Sequence, residues 1–326
     1  MIQIKGKHWN SLKKYSPILK LIVAICILAL TFRILLGQEQ EIQDLKNSLN
    51  NLKANNIKKL ALLFVVFLMP VNWLLETKRW HFALKRVKSI SFGKAFMGTI
   101  CGASIGIIMP NRTGQFIGRI MFLPFGYRIK GIIASIFAGL AQLSITIIAG
   151  ASALSIVSYL YFDFDFKYYL IGFNLLIILF FAFLFLKIDL FANLKAKNLK
   201  IKKFLKILKI LKLYNKRDKL IITILSVLRY SVFLIQFAIL IWVFSNSFNF
   251  KTILFAPLSF YFNTIIPSFT FGELGMREII NLQISNAYLN MNTTAVFAGL
   301  LLWIINVFIP SIFGVFFIFR AKLFPK

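Results

Sequence analysis

The chain has 326 residues, 59% of them hydrophobic and 15% charged, and its 39 Lys+Arg against 10 Asp+Glu leave a formal charge of +29. Soluble domains average about 45–50% apolar and about 25% charged residues, so a mean hydropathy of +0.79 excludes a soluble globular enzyme. In so apolar a chain the positive excess points to the anionic face of a membrane rather than to nucleic acid.

Lys5, Lys7, Lys13 and Lys14 precede the first apolar run, 17–36, which no small-x-small cleavage site closes. An uncleaved first span is therefore expected. Further runs at 57–75, 131–160, 168–186, 220–245 and 294–320 reach or approach the length needed to cross a bilayer, about 20 residues in a helix. Two other apolar stretches, 95–123 and 252–290, are each interrupted by a proline and then by glycines with an arginine among them.

Basic loops stay cytoplasmic. The segment 187–219 holds twelve basic and two acidic residues, and 76–94 holds six basic residues and one acid. The stretches 37–56 and 161–167 have little positive excess. Six spans with both termini in the cytoplasm put every basic block on one side, provided that 95–123 and 252–290 dip into the membrane and return. The expected fold is an all-α polytopic membrane protein, six full spans plus two re-entrant helical hairpins, in a bacterial inner membrane. Residues 17–160 and 168–320 then form an inverted-topology repeat, an architecture used by many secondary transporters. Between the halves, Lys195, Lys202, Lys206, Lys209 and Lys216 interleave with Leu199, Phe204, Leu205, Leu208 and Leu211 at helical spacing. The connector therefore reads as an amphipathic basic helix on the anionic leaflet.

The sparse residue types narrow the chemistry. Cys26 and Cys101 are far apart, and His8 and His81 adjoin basic stretches, so neither a metal site nor a disulfide framework is expected. No Gly-rich phosphate loop, GxSxG or HExxH occurs, so no catalytic residue and no cofactor is expected either.

The two broken segments carry the candidate site. Pro110 and Pro267 break their helices, and Gly114, Gly272 and Gly275 supply the freedom to turn. Non-helical backbone at membrane depth needs protein or a water-filled cavity around it. Arg112, Arg119 and Arg277 add positive charge, and guanidinium suits phosphate. Asn111, Glu273 and Glu278 complete the candidate substrate-binding set, the two acids as salt-bridge partners or as proton-coupling groups. Arg229, deep in a span, is a cavity residue or pairs with a neighbouring helix. Glu76, Arg79 and Trp80 read as an interfacial anchor. The run Gly98-x-x-x-Gly102-x-x-x-Gly106 suits close helix packing.

Leu75-Glu76-Thr77-Lys78-Arg79-Trp80, Met109-Pro110-Asn111-Arg112-Thr113-Gly114, Arg119, and Pro267 with Gly272-x-x-Gly275-x-Arg277-Glu278 together resemble the membrane domain of the lysylphosphatidylglycerol synthases and their stand-alone relatives. The chain departs from that pattern at Gln115, where the family often has an acid, and at Glu273, where it usually has glycine. The resemblance implies a stand-alone form without the soluble aminoacyl-transferring domain, acting as a flippase for an anionic or aminoacylated phospholipid. The partners expected are phospholipid headgroups, with a homo-oligomer left open. The alternative is a non-transporting scaffold for a cytoplasmic lipid-modifying or glycosyl-transferring enzyme.

Overall fold

The computed structural model of the chain describes residues 52–109, 112–193, 207–245, 248–266 and 272–318, with isolated positions outside those ranges. The expected span 17–36, both termini, Pro110, Asn111, Pro267 and the middle of the basic connector lie outside the described residues. The helices are α1 (Asn56–Lys85), α2 (Phe92–Ile108), α3 (Gly114–Ile120), α4 (Arg128–Tyr161), α5 (Lys167–Leu186), α6 (Lys216–Ser245), α7 (Phe250–Ile265), α8 (Gly272–Ile284), α9 (Asn292–Trp303) and α10 (Ile309–Ile318). No strand occurs among the described residues.

Five stretches, Asn56–Lys85, Phe125–Tyr161, Lys167–Leu186, Lys216–Ser245 and Thr294–Ile318, are long and apolar enough to cross a membrane. They coincide with five of the six spans read from the sequence, and they make this an all-α, multi-pass membrane protein. Their outer faces carry exposed Leu60, Phe67, Leu176, Phe180 and Phe316, as lipid-facing surfaces do.

The two ends of the bundle are chemically distinct. At one end meet the end of α1, the start of α4 and the start of α6. Arg86 donates to both carboxylate oxygens of Asp218 at 3.0 and 2.7 Å, and Lys88 sits 5.1 Å from the Tyr127 ring. The connector begins and ends here: Tyr214 donates to the Ala83 carbonyl at 2.8 Å, and its ring stacks on Phe137. Beside it, the hydrogen bond from Lys219 holds the Asp189 carboxyl below its ordinary pKa. At the opposite end, Lys58 donates to the Val243 carbonyl at 2.7 Å, Tyr288 donates to the Lys251 carbonyl at 2.9 Å, and the Lys251 ammonium lies over Tyr161.

Both broken segments fold as helical hairpins. In the first, α2 runs inward and α3 returns, because Gly98, Gly102 and Gly106 on one helix face Gly114 and Gly118 on the other. A Cβ on Gly118 would collide with the Gly102 backbone, and one on Gly114 with the Ile105 carbonyl. The five glycines let the backbones touch, which is how helices gain van der Waals contact in lipid. This hairpin starts and ends at the basic end of the bundle, while α7–α8 starts and ends at the other. A π-helical turn, Ser285–Leu289, closes α8, and Asn290 stops it with φ 56.

Two apolar cores form, one at each end. Trp80, Leu84, Ile133, Phe137, Phe185, Tyr214 and Ile222 make the core at the basic end; Val65, Val157, Phe237, Leu240, Phe255 and Leu258 make the other. Between the two cores, α1, α4 and α6 bury a set of polar residues: Asn72, Glu76, Thr77 and Arg79, then Ser144 and Thr146, then Ser226. The functional chemistry lies in this layer.

Two sequence expectations change here. The boundary drawn at residue 75 falls short, since α1 continues to Lys85. Glu76 therefore lies nine residues, about 13 Å at 1.5 Å per residue, inside the helix end. The amphipathic helix expected over 195–217 is interrupted where it is described. Lys209–Leu213 is a 3-10 turn, Tyr214 is extended, and Ile210 and Leu211 are buried against the bundle instead of facing lipid.

Candidate functional site

Glu76 is the hub of the polar layer. Its carboxylate accepts from Arg79, one helical turn on, at 2.5 Å, and from Arg119 of α3. Arg229 Nε of α6 lies 3.1 Å from Glu76 Oε2, close enough for an ion pair but not aligned as a hydrogen bond. Arg79 also donates to Gln142 Oε1 at 2.6 Å and to Ser226 Oγ at 3.3 Å, which ties α4 and α6 to the same hub. Glu76, Arg79 and Arg119 are each under 5% exposed. One carboxylate thus faces three guanidiniums, an excess of two positive charges where the low dielectric magnifies charge.

Against this cluster opens a cavity of 510 Å³. Arg112, at the tip of the first hairpin, and Arg277, on α8 of the second, both line it, together with Arg229 and Gln142. Thr264 and Ile265, both exposed, stand at its edge. Arg112 holds φ 52, the left-handed region that costs a side-chain-bearing residue about 1–2 kcal/mol. Such strain persists only where the surroundings impose it, and it gathers at functional sites. Here the hairpin turn, with Arg112 N–H bonded to the Met109 carbonyl, directs the arginine into the cavity.

Arg277 is paired with its neighbour: its Nε and Nη2 donate to Glu278 Oε1 at 3.2 and 2.8 Å. Its guanidinium lies 5.8 Å from the Trp303 ring. Glu278 is 1% exposed and does not line the cavity. Besides Arg277, α7 and α8 bring neutral polar groups to the cavity. Ser259 donates to Asn281 Oδ1 at 2.6 Å, and Asn263 donates to the Ser259 carbonyl at 2.7 Å. A second π-helical turn, Ile304–Phe308, brings Asn306 to the cavity, where it accepts from Asn72 Nδ2 at 3.0 Å. Its backbone carbonyl accepts from Trp73 at 3.0 Å.

Of the residues singled out from sequence, Arg112 and Arg277 come together on one cavity. Arg119 does not line it; it is buried one layer below, bound to Glu76, with its guanidinium 5.8 Å from the Trp80 ring. Arg229 fills both of its expected roles. Gly114 packs on Ile105, and Gly275 is buried in α8. Gly272 begins α8, and the side chain of Glu273 lies outside the described residues. Gln115 packs on Gly102 and Gly106, so it serves the hairpin contact.

The interfacial anchor is corrected. Glu76, Arg79 and Trp80 are buried in the bundle because α1 carries them past the apparent boundary and neighbouring helices enclose them. Sequence reasoning missed Glu76 as the hub and Gln142, Ser259, Asn281 and Asn306 as cavity-layer residues. The available signal was polar residues three and four apart inside long helices, Asn72-x-x-x-Glu76-x-x-Arg79 above all.

Compared with known proteins, the chain matches no protein-family model and no curated protein.

Proposed function

We propose that the protein is a phospholipid flippase, moving an anionic headgroup between leaflets through the cavity while the acyl chains stay in lipid. The observation that carries this reading is the joint lining of one cavity by Arg112 and Arg277, from hairpins that start at opposite ends of the bundle. A buried arginine costs roughly 2.5 kcal/mol or more at mid-bilayer, and the single Glu76 carboxylate does not balance its three guanidiniums. An incoming phosphate offsets that excess through charge-assisted hydrogen bonds.

In this reading the basic end faces the cytoplasm, the run 17–36 supplies a sixth span, and the hairpins are re-entrant. The two halves, 17–160 and 168–320, form an inverted repeat around the polar layer, and exchange of access occurs by movement of one hairpin against the other. The resemblance of the Glu76–Trp80, Met109–Gly114 and Gly272–Glu278 segments to the lysylphosphatidylglycerol synthase membrane domain agrees with lipid movement. The scaffold alternative requires a closed bundle with its arginines neutralised, and the charge excess beside an open cavity favours transport over it.

The test is reconstitution into vesicles containing acyl-chain-labelled phosphatidylglycerol, with dithionite reporting the fluorophore in the outer leaflet. Wild-type protein makes the inner-leaflet half accessible, and Arg112→Ala and Arg277→Ala each slow this about tenfold or more, as expected for a lost charge-assisted contact of roughly 1.5–3 kcal/mol. Undiminished movement in both variants, or none with wild-type protein, overturns the reading.

A further inference from the structure

Glu76 and Glu278 are both buried acids, but they are held differently. Glu76 faces three guanidiniums, and two of them, Arg79 and Arg119, do not line the cavity, so the departure of Arg229 leaves it paired. Glu278, 1% exposed, has one cationic partner among the described residues, Arg277, and that partner is itself a cavity residue. Arg277 Nε and Nη2 both rest on Oε1, while Oε2 meets the Asn281 amide beside Gly299 of α9. The elements packed on α8 bring no second cation to this carboxylate among the described residues. α9 carries no titratable side chain between Asn292 and Trp303. On α7, Lys251 lies over the Tyr161 ring and Tyr261 packs on Gly150; Tyr288, in the π-helical turn, donates to the Lys251 carbonyl. Position 273 lies about 140° around α8 from Glu278 at 3.6 residues per turn, and Arg112 and Arg229 line the cavity that Glu278 does not.

We infer that Glu278 couples lipid movement to protons: when a headgroup phosphate takes Arg277, the carboxylate left behind takes up one proton, and it gives that proton up when Arg277 returns. This rests on the flippase reading and supplies its coupling ion. A phosphate gripped by the Nε–Nη2 edge of Arg277 displaces Glu278 Oε1 from it. A buried carboxylate that loses its cation is neutralised rather than left charged. The proton comes from solvent that enters the cavity with the headgroup and adds to the Oε1 lone pair that Arg277 vacates. It returns to solvent on the other side as the phosphate leaves and the guanidinium closes on Oε1 again. That O–H bond is the one bond formed and broken, and a phosphodiester crossing with one proton adds no net charge to the polar layer. Asn281 suits both forms of the acid. Its amide nitrogen faces the ionised Oε2, and turned over it offers its oxygen to a protonated one, while Ser259, which now donates to Asn281 Oδ1, accepts instead.

Vesicles with entrapped pyranine test this, with valinomycin and equal potassium on both sides to hold the membrane potential at zero. Acyl-chain-labelled phosphatidylglycerol is added to the outer leaflet; pyranine reads acidification of the lumen, and dithionite reads the lipid moved. Wild-type protein is expected to bring in about one proton per lipid. Glu278→Gln, which holds the neutral form, is expected to move lipid without protons, and Glu278→Asp, which keeps a carboxyl, to retain the uptake. Lipid movement by the wild type with no acidification beyond that of protein-free vesicles overturns the coupling while the flippase reading stands. Equal uptake by the wild type and Glu278→Gln overturns the role of Glu278, and so does a Glu278→Gln protein that melts like the wild type in detergent but moves no lipid. Movement of no lipid by the wild type overturns both readings.

Discussion

Arg119, on the short returning helix of the first hairpin, is bound to Glu76 in the middle of α1, and this ion pair joins the hairpin to the body of the bundle. The same carboxylate holds Arg79 and approaches Arg229, so one acid on α1 fixes elements distant in sequence. Without it, two fully buried guanidiniums and a largely buried third would repel one another.

Glu76→Ala is therefore expected to be the most destabilising single change in the polar layer. Removing one partner of a buried pair typically costs about 3–5 kcal/mol, and here it strands three cations. Arg229→Ala leaves Glu76 with two partners, and it should lower the melting temperature in detergent much less than Glu76→Ala does. A larger drop for Arg229→Ala would show that Glu76 is not the hub.

The glycine contact makes an independent prediction for the first hairpin. Gly118→Ala puts a methyl group into the Gly102 backbone, which has no room to move without separating α2 from α3. Loss of folded yield is expected. Gly139, in the middle of α4, has no atom within 4 Å of an added Cβ. Gly139→Ala should stabilise by about 0.5–1 kcal/mol through reduced freedom of the unfolded chain. Thermal unfolding of the two variants, measured side by side, checks both signs.

At the hairpin tip, backbone strain and charge separate. Arg112→Ala and Arg112→Gly both remove the guanidinium, but only glycine accepts φ 52 without penalty. The glycine variant is expected to be more stable than the alanine variant by about 1 kcal/mol, and both should move lipid equally slowly. A glycine variant with restored translocation would show that tip geometry, and not charge, carries the activity.

The parts of the fold legible in the sequence were those set by local composition. Five spans were located, and four of them nearly to their ends, because hydropathy summed over about 20 residues decides whether a helix crosses a bilayer. The breaks near Met109 and Ile266 were visible as Pro and Gly in otherwise apolar runs. The packing role of Gly98, Gly102 and Gly106 was visible as their spacing. The site was legible only in part. Arg112 and Arg277 stood out because arginine is conspicuous in an apolar segment, whereas Glu76, Arg79 and Trp80 looked like any polar edge of a span.

By itself, then, the sequence determined an all-α membrane protein with interrupted helices and a strongly basic end, since these follow from residue-by-residue transfer energies and the backbone limits of Pro and Gly. Only the tertiary structure decided that Glu76 gathers Arg79, Arg119 and Arg229, and that Arg112 and Arg277 share one cavity with Tyr230 and Asn281. Which charges meet depends on which helix faces pack together, and at low dielectric that pairing outweighs any property a single segment carries.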